Sequence, residues 1–89
     1  MRKPVVNSNQ VYSFVNPRHI RAARAWLGWN LKTLEEKTGL ALDTISRYER
    51  GAKQVRPDTI AAMARAFEKE GLYLMPDGLR VRALDENRP

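Results

Sequence analysis

Ser46, Arg47 and Arg50 fall on one side of a short apolar-periodic segment, with Ile45 and Tyr48 on the other. Residues three or four apart share a helix face, so the first set points outward while Ile45 and Tyr48 dock the segment on its neighbours. Cations and a hydroxyl on such a face suit recognition of a polyanion rather than bond-making chemistry. The surrounding stretch Leu31–Gly51, LKTLEEKTGLALDTISRYERG, reads as a helix, a turn pivoting on Gly39 and a second helix. Two short helices joined in this way place the second in a DNA major groove.

Competing chemistries find little support. The chain has one histidine, His19, and no cysteine, so a metal site would need several carboxylates, and none cluster suitably. No glycine-rich phosphate loop is present, and Ser8, Ser13 and Ser46 lack a nucleophile context. No enzyme activity, metal or cofactor is expected. The aromatics Trp26 and Trp29 read as core or interface fillers before base-stacking platforms. His19 reads as a surface or first-turn residue.

The 89 residues allow one domain with a modest core, and 43% hydrophobic content argues against wholesale disorder. No apolar run approaches the roughly 20 residues needed to cross a bilayer. The N-terminus lacks the long apolar stretch of a signal peptide. A cytoplasmic, nucleoid-associated protein without membrane contact is the expectation. The net charge of +6 favours an anionic partner, and the excess leans towards the N-terminal two-thirds.

Local signals divide the chain into elements. Residues 1–15 read as an N-terminal arm, in which Val11–Val15 form either a short strand or plain apolar packing. Asn16-Pro17 starts a first helix, because asparagine caps free amides and proline fits the first helical position. Ile20, Ala23 and Leu27 recur at helical spacing, and Gly28 ends the run. Asn30 caps a second helix, Leu31–Thr38. The third occupies roughly Leu42–Arg50. A fourth begins after Pro57, with Ile60, Met63, Ala64 and Phe67 as its apolar stripe, and Gly71 ends it. Residues 16–71 thus form the helical domain. Residues 72–84 read as a β-hairpin turning at Pro76-Asp77-Gly78, and 85–89 as a tail. The fold class is mainly α: four compact helices with a C-terminal hairpin. That hairpin serves either as a dimerisation element or as a local cap on the fourth helix.

From about Ile20 to Leu72 the chain resembles the phage repressor and Cro-like (Xre-type) helix-turn-helix family. The most specific element is Thr44-Ile45-Ser46-Arg47-Tyr48-Glu49-Arg50-Gly51, which is similar to that family's recognition-helix ending. The resemblance implies that Leu42, Asp43, Ser46 and Arg47 read bases, with Arg50 at the helix end. Arg47 suits a bidentate contact to guanine. Asp43 either accepts from cytosine or, the favoured reading, complements the helix N-terminus. Leu42 meets a thymine methyl or packs inward. It also implies that Arg24 pairs with Glu49 and fixes the tilt of the recognition helix. Backbone contacts are expected from Asn30 and the nearby amides, and from Lys32, Arg50, Lys53 and Arg56. Three positions depart from the family: Leu31 for a phosphate-anchoring glutamine, Glu35 for a small alanine, and Ala41 for a hydroxyl cap. The implied function is a transcriptional regulator of double-stranded DNA, most simply a repressor acting as a homodimer. The alternative is an antitoxin-like module that uses the same fold to bind another protein.

Overall fold

The computed structural model describes residues 11–82. The arm expected over 1–10, the last residues of the hairpin segment (83–84) and the tail at 85–89 lie outside the described residues. Four helices, α1 (Pro17–Leu27), α2 (Leu31–Thr38), α3 (Leu42–Glu49) and α4 (Pro57–Glu68), precede strands β1 (Leu72–Met75) and β2 (Gly78–Val81).

Each helix start has a local cause. Asn16 Oδ1 accepts from the amides of Arg18 and His19, and Pro17 occupies the first helical turn. Asn30 Oδ1 accepts from the Thr33 amide at 2.8 Å and from its hydroxyl at 2.9 Å. Gly39 closes α2 with φ +77, a left-handed conformation that glycine reaches without the Cβ penalty. The third helix is one residue shorter than expected, since Arg50 caps it rather than extending it. Likewise α4 stops at Glu68, and residues 69–71 form the turn into β1.

The core gathers one stripe from each helix. Ile20 and Ala23 of α1, Leu34 of α2, Ile45 and Tyr48 of α3 and Met63, Ala64 and Phe67 of α4 are buried together. Full burial of a side chain such as Leu34 contributes about 1.5–3 kcal/mol. Leu72 and Leu74 complete this core from β1, with Leu79 of β2 packed against it. The strands pair antiparallel, Leu72 opposite Val81 and Met75 opposite Gly78, around a two-residue loop at Pro76-Asp77. No non-glycine residue described has positive φ, so the loop is not of the primed type that hairpins favour. Gly78 follows the loop at φ +148, a conformation open to glycine.

The structure places three features whose reading the sequence left open. Residues 11–15 are not a strand: they make a 3₁₀ turn closed by a hydrogen bond from the Val15 amide to the Tyr12 carbonyl, 2.9 Å. Val15 is buried and Tyr12 donates to Glu68 Oε2 at 2.9 Å, so the segment is pinned to α4 by side chains. His19 lies in the first turn of α1, one of the two positions expected for it, and is buried there. Its Nδ1 accepts from the Asn16 amide, which leaves the tautomer protonated on Nε2 to donate to the Met75 carbonyl at 2.7 Å. This ring therefore ties the start of α1 to the hairpin. Trp26 is outside the core, 63% exposed, whereas Trp29 stacks near Phe67 with Lys37 over its ring.

One ion pair spans α1 and α3. Arg24 Nε donates to Glu49 Oε2 at 2.7 Å and Nη2 to Oε1 at 2.8 Å, a bidentate clasp. Its third nitrogen, Nη1, donates to the Trp29 carbonyl at 3.0 Å. The Glu49 side chain is only 8% exposed and that of Arg24 20%. The hydrogen bonds to Glu49 raise the Arg24 guanidinium above its ordinary value, against the lowering that burial brings.

Removing one partner strands the other charge where water solvates it poorly, so Glu49→Ala should lose about 2–3 kcal/mol in urea unfolding. The double change Arg24→Met with Glu49→Leu should recover most of that loss, as a double-mutant cycle would reveal. Burial also raises the Tyr48 phenol above its ordinary 10.0. The folded state thus resists its ionisation; the associated stability is intact below pH 10 and lost as pH climbs beyond it. Between about pH 8 and pH 11 the urea midpoint should fall in the native protein and fall less in Tyr48→Phe.

Candidate nucleic-acid interface

With Ile45 and Tyr48 committed to the core, α3 turns its other side to solvent. Leu42, Asp43, Arg47 and Arg50 are exposed there and Ser46 is half-buried. Leu42, at 40% exposure, faces outward rather than packing inward. The cap residue Ala41 makes no side-chain hydrogen bond, as its methyl group requires. Asp43 in the first turn supplies a carboxylate near those free amides, the partial substitute that helix electrostatics offers.

The outward groups are already engaged with one another. Arg47 Nη1 lies 3.7 Å from Asp43 Oδ2, one helical turn back. Arg50 Nη1 donates to Ser46 Oγ at 2.7 Å. Exposed i,i+4 pairs of this kind contribute only a few tenths of a kcal/mol, so they are cheap to exchange for other partners.

Around α3 lie the expected backbone-binding groups. Helix geometry leaves the amides of Leu31 and Lys32 without intrahelical acceptors, beside the Asn30 cap. Leu31, standing where the family places glutamine, is partly buried against the core and offers the ligand no polar group. Glu35 lies 3.4 Å from Lys32 and partly offsets its charge. Lys53 is exposed in the connection after α3. Arg56 is exposed at the start of α4, with Nη2 3.8 Å from Asp58 Oδ2.

The structure joins two parts of this set that the sequence keeps apart. A concavity of about 240 Å³ is lined by Thr44, Arg47, Gln54, Arg56 and Thr59. Arg47 of α3 and Arg56 of the following connection therefore share one surface depression. Thr44 and Gln54 are additions to the expected set; the position of Gln54 between Lys53 and Arg56 was the available signal. Arg21 is a further addition, its Nη1 donating to the Glu49 carbonyl at the end of α3, 2.6 Å. Lys32 and Asn30, at the start of α2, are not part of that depression.

Among the described residues no three potential metal ligands cluster. Nor is any described helix long and apolar enough to cross a membrane. No curated protein and no solved structure matches the chain. A helix-turn-helix family model matches residues 20–74, covering all four helices except the first turn of α1, and the first three residues of β1. With a paired α2 and α3, an inward-anchored third helix and a match over more than half its length, the chain belongs to the Xre-type, Cro-like helix-turn-helix family of DNA-binding regulators.

Proposed function

We propose that this protein is a sequence-specific repressor that binds double-stranded DNA as a homodimer, with α3 in the major groove of each half-site. The observation that carries the reading is the division of α3 into two faces. Ile45 and Tyr48 lock one into the core, and Glu49 is clasped by Arg24. The other presents Leu42, Asp43, Ser46 and Arg47 to solvent, bound to nothing beyond α3 and its cap residue. Arg47 reads a guanine, Ser46 adds an adaptable hydroxyl and Leu42 offers apolar contact to a thymine methyl. Asn30 with its neighbouring amides, Lys32, Lys53 and Arg56 grip the phosphates. Such a protein acts at the nucleoid, in the cytoplasm.

The hairpin supplies the dimer contact in this reading. Its inner face is spent on the core through Leu72 and Leu74, but Val81, in the second strand, remains 46% exposed. A strand edge that ends in an uncovered valine suits pairing with a second copy. The antitoxin-like reading has one observation of its own, the exposed Trp26 on α1, which suits a protein partner.

DNA selected from a random pool should yield two half-sites related by a two-fold axis. Arg47→Ala should relax preference at one base pair, at a cost of about 1–3 kcal/mol against the preferred site. Lys53→Ala should weaken binding to all sequences alike and reduce the salt slope by about 1. Uniform effects from both would refute this division. Sedimentation should report a dimer that Val81→Asp converts to monomer, and a native monomer at DNA-binding concentrations would end the dimer reading. No measurable DNA binding at low salt would favour the protein-interaction module.

A further inference from the structure

The start of α1 and the end of α3 border a shallow, open cleft of about 320 Å³, lined by Asn16, Arg18, Arg21, Glu49, Arg50 and Gly51. Three guanidiniums border it. The only carboxylate is that of Glu49, and both of its oxygens are taken by Arg24. Arg21 is held at the cleft by its bond to the Glu49 carbonyl. Arg50 is held by Ser46. Among the described residues the Arg18 side chain has no hydrogen-bond or ion-pair partner. The first amides of α1 contribute nothing, because Asn16 already occupies them.

We propose that this cleft seats a phosphodiester of the DNA backbone, so that Arg18, Arg21 and Arg50 clamp the strand at the far end of the recognition helix. The inference rests on the DNA-reading function above and extends its contact surface to the first helix. A helix of eight residues is about 12 Å long, close to the width of the major groove. Groups at its end therefore meet the sugar-phosphate wall rather than the base edges. Planar guanidiniums match phosphate oxygens in pairs, and three of them around one concavity outweigh what scattered surface cations provide. Arg50 is thereby assigned to the backbone and not to base reading, in contrast to Ser46 and Arg47.

The test uses the full chain and duplex DNA carrying the selected site, titrated across a salt series. Arg18→Gln removes a side chain with no structural partner, and an unchanged melting curve checks that the fold is intact. Arg18→Gln and Arg50→Gln should each lower the salt slope by about 1 and weaken binding about tenfold at low salt, equally for selected and random DNA. Ethylation of single phosphates should find a position where blocking weakens the native protein but no longer affects the variant that combines Arg18→Gln with Arg50→Gln. Competition by inorganic phosphate at millimolar levels, with no change of slope in the variants, would mark the cleft as a free-anion site and overturn the proposal. A sequence-selective loss in Arg50→Gln would also overturn it. An unchanged slope in Arg18→Gln, with native binding intact, would overturn the clamp alone. Failure of the native protein to bind DNA would overturn the parent reading and the clamp with it.

Discussion

The clasp between Arg24 and Glu49 is the constraint on which the arrangement of the other elements depends. Eight residues are too few for a helix to hold itself in water, so α3 takes its stability from what it packs on. Ile45 and Tyr48 bury one side, but apolar contact alone leaves a short helix able to roll. Two parallel charge-assisted bonds at its C-terminal end remove that freedom, since a fork geometry tolerates little rotation. The same guanidinium holds the Trp29 carbonyl just ahead of α2. One side chain of α1 thus fixes the end of α3 and the entry to α2 together. It also silences the only anion at the end of α3, which would otherwise repel the polyanion that the fold binds.

Much of this was legible from local signals. Asn16-Pro17, Asn30 and Gly39 punctuate helices through atoms a few residues away, so their effects can be read directly from the chain. The bracing of α3 was legible only through resemblance to the family, because nothing local links residues 24 and 49. What escaped was non-local. The spacing could not reveal that Tyr12 meets Glu68 or that His19 meets Met75, each across 56 residues. Those two contacts decide why residues 11–15 turn and pack instead of forming a strand, and why a lone histidine is buried. Which of its two expected places Trp26 takes, core or interface, was open for a related reason. Ile20 and Ala23 take the buried side of α1, and a residue next to that stripe can fall on either side of the boundary.

The hairpin shows how a small domain extends a limited core. Four short helices leave an open end beside α1 and α4, and the alternate side chains Leu72 and Leu74 close it. His19 secures the far end of the same hairpin. The strands are therefore not an appendage that could be removed to leave the helices intact. Their outer face, with Tyr73 hydrogen-bonded to Arg82, is the part left to face other molecules.

The bare methyl of Ala41 has a consequence for how such a chain can change over time. Everything that anchors α3 lies on its inner face or at its last turn, and its first turn is tethered by no side-chain cap. Substitutions at Leu42 accordingly meet few structural penalties, and those at Asp43 only the loss of its carboxylate beside the free amides. The residues that hold the fold and those on the outer face of α3 are largely separate, and one set can drift while the other is conserved. A lineage built on this scaffold can remodel that outer face by small steps, without passing through unfolded intermediates.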